Sequence, residues 1–413
     1  MKALIFKTDL PRVGAAFLYK KITNKITLYP GHPLKLVEIS QPDAPEAHYV
    51  KVKTRMCGIC GTDLRILGVD LSPKSAALAF SGNRAKSPMF LGHEVIGEVV
   101  EVGEGVQRVK VGQRVSLADE ISCSALGGKA CSYCQDGMSI LCLRRNEEPV
   151  HKNLGGGWSE YFVRHETQLL TIPDNITDEN GVLLEPLACS MHAVLRRPPN
   201  SGEKILVLGG GIIGLGVVAS IRSLNIKDIN ITVSARHPYQ CERAMALGAD
   251  AVVSEGDLYE NLASILNTHV LGKRDNRILH EGFHIIYDCV GSESTLNNSL
   301  RWLRPRGWVV LIGMNMIPGE IDFTPIWQRE LNIVGMHGYA IEKWDGEAMH
   351  TIERCKQWIS SGRLSTDGLL THCFPLERYQ EAIKTSTSHH TTNSDKAEVD
   401  KAVKVAFDFR NNS

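Results

Sequence analysis

Three sets of residues in this sequence have types and spacing that could do chemistry. The first is Cys57-Gly58-Ile59-Cys60-Gly61-Thr62-Asp63, followed by Gly92-His93-Glu94 and then by Leu184-Glu185-Pro186-Leu187-Ala188-Cys189. A thiolate, an imidazole and a carboxylate suit Zn²⁺, and three protein ligands leave a fourth position open to water or substrate. Taken singly, each piece has a plainer meaning: a Cys-x-x-Cys can be a redox pair, a lone histidine packs or caps, and Glu-Pro starts a turn. The second set is Cys123, Cys131, Cys134 and Cys142. Four thiolates can close a tetrahedral zinc shell with no open position, which makes a structural metal rather than a reactive one. The competing readings are a metal-free lobe packed by its thiols and a redox pair at Cys131 and Cys134.

The third set is Val207-Leu208-Gly209-Gly210-Gly211-Ile212-Ile213-Gly214, a Gly-x-Gly-x-x-Gly directly after an apolar run and directly before a helical one. Gly209 allows a tight turn, Gly211 lets a pyrophosphate approach the backbone, and Gly214 lets the helix that begins near Ile213 pack closely on the strand. The helix N-terminus then offers unpaired amides to phosphate charge. An NAD-binding unit carries an acid at the end of the next strand, about 20 residues on, to hold the ribose hydroxyls. Here that region reads Ile231-Thr232-Val233-Ser234-Ala235-Arg236-His237 and contains no acid. Ser234 can hydrogen-bond a ribose 2′-phosphate and Arg236 can pair with it, so NADP(H) is favoured over NAD(H).

Together these motifs, in this order, resemble the zinc-containing medium-chain dehydrogenase/reductase superfamily, particularly its polyol, sugar and threonine dehydrogenase branch. The resemblance covers nearly the whole chain and includes Leu247-Gly248-Ala249-Asp250. It implies that Cys60 and His93 are catalytic zinc ligands, that Glu94 or Glu185 supplies the carboxylate depending on the state of the site, and that Cys57 is not a ligand. It places Thr62 where the family has the hydroxyl that takes the substrate proton, and Asp63 where a carboxylate orients the ligand histidine. Arg65 departs from the pattern, standing where many relatives carry a histidine that completes the proton path. Cys131, Cys134 and Cys142 fit the family's structural-zinc lobe, whereas Cys123 lies farther upstream than the pattern, with Leu126-Gly127-Gly128-Lys129 intervening. The implied function is a zinc-dependent transfer of hydride between NADP(H) and an alcohol, polyol or sugar hydroxyl or the corresponding carbonyl. The family also implies a homodimer or homotetramer. Two readings stand against it: a zinc-independent reductase of activated carbon–carbon double bonds, and a non-catalytic NADP-binding protein.

Elements must position these residues. From Val50 to about Val115 short β-branched runs broken by glycine predict a largely antiparallel β domain, GroES-like by resemblance. From Lys204 strands and helices alternate as far as Leu331 to Val334, which predicts a doubly wound parallel sheet, the Rossmann arrangement. The expected fold is therefore α/β, with residues 1–184 catalytic, 185–335 binding NADP, and 336–413 returning to the catalytic domain. Met349 to Ser360 reads as an amphipathic helix, Leu10 to Leu34 and Ser72 to Ser87 as loops or insertions, and Ser386 to Asp400 as a solvated loop. Substrate choice is expected to lie in Leu67 to Ser87, Asn146 to Trp158 and His337 to Trp344.

Bulk properties narrow the partners. In 413 residues, 46 Lys and Arg balance 46 Asp and Glu, so nothing points to nucleic acid or an anionic membrane, and a small alcohol or carbonyl compound is the expected partner. Asp9 falls too early for the apolar core of a signal peptide, and the longest apolar stretch, Ile205 to Ala219, is too short and glycine-rich for a membrane span. An odd count of eleven cysteines in a chain without an export signal argues for metal-binding thiols in the cytoplasm rather than a disulfide framework.

Overall fold

Alternation in Tyr49–Gly58 turns Val50, Val52, Thr54 and Met56 inward, and this ten-residue strand becomes the centre of the first unit. The computed structural model describes residues 1–7, 10–23, 28–29, 31–43, 45–68, 88–147, 155–254, 256–313, 319–387 and 401–410. Its chain divides into two units, Met1–Glu185 with Leu370–Ser413, and Pro186–Leu369. In the first, the strand order is Leu370–Phe374, Lys404–Asp408, Tyr49–Gly58, Val95–Val102, Arg114–Leu117 and Leu169–Thr171, with Tyr161–His165 also pairing with Tyr49–Gly58. All these pairings are antiparallel except the first. Register shifts after Lys51 and Thr54 bend the central strand so that it serves three partners. Val50, Val52, Val95, Val99, Trp158, Phe162 and Phe407 fill the core. Each such fully buried side chain contributes roughly 1.5–3 kcal/mol of transfer free energy.

The second unit holds a six-stranded parallel sheet in the order Ala251–Val253, Asn230–Ser234, Lys204–Leu208, Phe283–Asp288, Leu303–Leu311 and Asn332–Gly335. Its central strands are continuous apolar runs because both faces are covered: Ile205, Leu206 and Val207 are all fully buried, as are Ile285, Ile286 and Tyr287. The strand order reverses beside Lys204–Leu208, which makes the carboxyl end of that strand a switch point where ligands bind. The helix Ile212–Ser223 starts there.

Four expectations about the elements change. Leu10–Thr23 is a helix, not a loop; Ala16 is buried and Val13 packs on the first core, so a few apolar contacts outweigh Gly14 and the weak periodicity. Residues 336–369 belong with the second unit rather than returning to the first, which resumes at Leu370. This segment contains a hairpin, Ile341–Trp344 against Glu347–His350, whose Asp345-Gly346 turn has positive φ at both residues. The hairpin runs directly into the helix Thr351–Ser360, two residues shorter at its start than the sequence suggested, and Arg354 donates to the carbonyls of Glu342 and Glu347 to tie helix and hairpin together. Ser386 and Thr387 end the helix Tyr379–Thr387. The rest of the expected loop, 388–400, lies outside the described residues, as do 69–87 and 148–154 of the expected substrate loops. No helix among the described residues is long and apolar enough to cross a membrane.

Candidate functional site

Cys60 ends the turn after the central strand and stands immediately before the helix Gly61–Leu67, while His93 lies in the turn before the strand Val95–Val102. Asp63 joins the two segments: its oxygens accept the backbone N–H of Cys60 at 3.0 Å and of Gly92 at 3.3 Å, and it is 2% exposed. Its nearer oxygen is 3.8 Å from His93 Nδ1, so it acts on the histidine through charge and by fixing the loops rather than by a direct hydrogen bond. Gly92 has φ +85°, and a Cβ there would fall 2.3 Å from Trp158 Cδ1 and 2.8 Å from Cys57 Sγ. Only glycine lets the His93 turn press onto this wall. Cys57 is fully buried against the same wall, pointed at the carbonyl of Gly58, which fits a packing role.

Cys60 lies close enough to His93 for its charge to act on the imidazole, and its Sγ is 3.7 Å from Thr62 Oγ1. Burial alone would push the His93 pKa down, yet the negative charge of Cys60, Asp63 and Glu185 outweighs it and holds the imidazole well above its ordinary value. Cys60, His93 and Glu185 supply the thiolate, imidazole and carboxylate that zinc takes and gather negative charge, although their donor atoms do not all lie within 4.8 Å of one another. Glu185 lies in the first turn of the helix Leu184–Arg196 and is 7% exposed. Glu94 is differently placed. Both its oxygens accept from Lys404 Nζ, at 2.6 and 2.7 Å, and that ammonium also donates to the carbonyl of Ile59. Burial lowers the Lys404 pKa, but Glu94 and Cys60 more than reverse this and keep it charged. Glu94 is thus committed to a cation of the chain itself. Lys404 was not singled out from sequence; its signal was a lone cation within the apolar run Val403-Lys404-Val405-Ala406-Phe407.

Among the described residues, the one group of three or more potential metal ligands whose donor atoms all lie within 4.8 Å of one another is Cys123, Cys131, Cys134 and Cys142. Cys123 Sγ is 3.6 Å and Cys131 Sγ 4.0 Å from Cys142 Sγ. A tetrahedron with zinc–sulfur bonds of about 2.3 Å has sulfur–sulfur edges of about 3.8 Å, so the four thiols fit zinc. Positive φ at Gly127 and Gly128 turns the intervening loop back and brings the displaced Cys123 into the set. Backbone N–H groups of Cys131 and Arg144 point at the sulfurs of Cys123 and Cys142. Hydrogen bonds from the backbone of Leu143 and Cys134 bring the Cys131 thiol down to about 6.

In the second unit, Gly209 has φ +99° at the end of its strand, and a Cβ on Gly214 would fall 1.8 Å from the carbonyl oxygen of Gly209. A Cβ on Gly211 would meet nothing within 4 Å, which leaves open space above the backbone at the N-cap of Ile212–Ser223. The carbonyl of Ile213 accepts from Ser190 Oγ at 3.0 Å, tying the start of this helix to Leu184–Arg196. Ser234 ends the neighbouring strand half-buried, and Arg236 follows it exposed. Gln240, buried in the next helix with its amide oxygen against Gly210, also borders the loop. Its place was not legible in the sequence because only the crossing of that helix over the loop brings it there.

Residues 46–174 match the alcohol dehydrogenase GroES-like domain and residues 213–354 the zinc-binding dehydrogenase domain. The chain is 30% identical over 338 residues to D-arabinitol dehydrogenase 1 of Uromyces fabae, covering 81% of this chain and 85% of that protein. Solved structures share the fold. An Escherichia coli alcohol dehydrogenase complexed with NADH superposes with a TM-score of 0.73 at 24% identity, over 99% of each chain. A zinc-binding dehydrogenase of Sinorhizobium meliloti bound to NADP gives 0.70 at 23% identity, again over 99% of each chain. The glycine turn at a parallel-sheet switch point, the four-thiol lobe and the Cys60–His93 pair thus stand on a chain that belongs to the zinc-containing alcohol dehydrogenase superfamily, oxidoreductases that act on hydroxyl groups with zinc and a nicotinamide cofactor.

Proposed function

We propose that this chain is an NADP(H)-dependent zinc dehydrogenase that interconverts a hydroxyl of a small polyol- or sugar-like alcohol and the corresponding carbonyl. The observation that carries the reading is Cys60 beside Thr62, with His93 held in the electrostatic reach of Cys60, Asp63 and Glu185. Cys60, His93 and Glu185 would hold the catalytic zinc, and the four-thiol lobe a second, structural zinc. Glu94 serves instead as the buried counter-ion of Lys404. When bound, zinc stabilises the alkoxide and the nicotinamide carries the hydride.

The chain's own groups do the rest. Thr62 takes the hydroxyl proton next to the ligand sulfur. Asp63 fixes the Cys60 and His93 turns with respect to each other. Gly209, Gly211 and Gly214 shape the pyrophosphate turn, and Ser234 and Arg236 take the 2′-phosphate where an acid would repel it. The retained set Cys60, Thr62, His93 and Glu185 favours this reading over a metal-free double-bond reductase, which needs no alkoxide, and over a non-catalytic nucleotide binder. A homo-oligomer is supported by Phe323 and Trp327, 71% and 82% exposed, in the segment leading to the edge strand Asn332–Gly335. Zinc thiolates need reduced cysteines, which fits the cytoplasm.

Metal analysis combined with NADPH and NADH titration and an alcohol panel tests the proposal. Two zinc ions per chain, tighter binding of NADPH than NADH, and alcohol oxidation are expected. Cys60→Ser should abolish oxidation and leave NADPH binding largely intact, and Arg236→Ala should weaken NADPH by about 1.5–3 kcal/mol. Turnover unchanged by Cys60→Ser would overturn the catalytic-zinc assignment.

A further inference from the structure

The helix Gly61–Leu67 that carries Thr62 has two unlike faces. Asp63 and Leu67 are buried, and Leu64 and Ile66 pack on the core of the first unit. Thr62 and Arg65 are left on the other face, both half-buried. They are three residues apart, so they are neighbours on the helix surface, with Arg65 about 4.5 Å farther along the axis. Thr62 Oγ1 is 3.7 Å from Cys60 Sγ, which places Arg65 about one turn beyond the sulfur on the same side of the helix.

Arg65 is unusual among the arginines of this chain. Comparably buried Arg55, Arg114, Arg197 and Arg301 each hold a carboxylate of the protein, with Asp178 serving both Arg55 and Arg114. Among the described residues, no hydrogen-bond acceptor or acid is found for Arg65. Burial is the sole cause that moves its pKa, and it moves it down. A guanidinium partly withdrawn from water bears a desolvation cost, and no acid among the described residues offsets it. Five donors in a planar fork match a carboxylate or a phosphate, and such a group would recover that cost when it binds.

We propose that Arg65 is a specificity-determining residue that binds an oxyanion, a carboxylate or a phosphate monoester, carried by the substrate a few bonds from the hydroxyl that is oxidised. This rests on the dehydrogenase reading for the place of the reacting hydroxyl, but not for the binding of the anion. The substrate is then an acidic polyol derivative rather than a neutral one. The side chain neither touches the reacting atoms nor moves a proton; it selects and orients.

A matched set of xylitol, xylonate and xylitol 5-phosphate tests this with the zinc-loaded enzyme and NADP⁺. The wild type should prefer one of the two anions, and which one it prefers identifies the oxyanion. Arg65→Met should lower the ratio of kcat/KM for that anion to kcat/KM for xylitol by roughly ten- to a hundred-fold, mainly through KM. Arg65→Lys, which keeps the charge but loses the fork, should fall between them. A wild type that prefers xylitol, or an Arg65→Met variant whose ratio matches the wild type, overturns the proposal, since a packing role for the arginine stem would affect all three compounds alike. Calorimetric titration of xylonate and of xylitol 5-phosphate into the zinc-loaded protein with NADPH separates this from the dehydrogenase reading. If none of the compounds is oxidised, that reading fails. Anion binding that Arg65→Met abolishes would still support the oxyanion site, and binding that is absent or unchanged in the variant would remove it.

Discussion

Lys404 places its ammonium on both oxygens of Glu94 at a depth where neither side chain is more than 2% exposed. Two such charges are costly to take out of water, and their attraction offsets the cost only while both are present. Lys404→Met should therefore destabilise the protein by about 3–5 kcal/mol, because it strands a buried carboxylate one residue from His93. The double variant Lys404→Met/Glu94→Gln should regain most of that loss, since it removes both charges. Urea denaturation of the two variants measures this, and equal instability of single and double variants would count against it. The same pair shows where residue-level reading ends. Glu94 was found beside His93 because the motif is contiguous in sequence, but its partner lies 310 residues away and only the fold discloses it. Asp63 is a similar case: its type and position pointed to the histidine, and the structure puts its hydrogen bonds on two backbone amides instead.

Turn chemistry decides the elements around the nucleotide site. Gly214 lies so close to the Gly209 carbonyl that a methyl group cannot be added without moving the helix off the strand. Gly214→Ala is expected to cost about 1–3 kcal/mol, the range for overpacking, and to weaken NADPH binding as well, since the same shift displaces the helix N-terminus. Denaturant unfolding and NADPH titration read the two effects, and a variant with native stability and affinity would show that the helix accommodates the methyl. Gly127 and Gly128 are the counterpart in the cysteine lobe, where backbone freedom rather than sequence spacing allows Cys123 to rejoin the other three thiols. The helix Leu10–Thr23 was missed for the opposite reason. Its stabilising contacts are few and tertiary, so local pattern carried little of the signal.

Each unit closes its own core. Among the described residues, the sheet of the second unit ends at Asn332–Gly335, a strand paired on one side only, with Ile333 41% exposed and Phe323 and Trp327 just before it. If that edge joins a second copy, Trp327→Glu should convert the wild-type oligomer to a smaller species in sedimentation velocity, because a charge placed in an apolar contact is strongly disfavoured. An unchanged sedimentation coefficient would move the interface elsewhere.

The sequence by itself determined the two chemistries and the order in which the chain supplies them. Thiol, imidazole, carboxylate and glycine act through residue type and short spacing, and strand–helix alternation declares a parallel sheet because both faces must be covered. The acid-free end of the second strand is likewise a local property, complete within Ile231 to His237. What only the tertiary structure decided were relations between distant segments. These include Lys404 on Glu94, Gln240 on the glycine loop and the convergence of four sulfurs to within 4.8 Å. They also include Arg65 held half-buried without an acid of its own among the described residues. Such relations depend on desolvation and long-range packing, which reside in no stretch of sequence short enough to read as a motif.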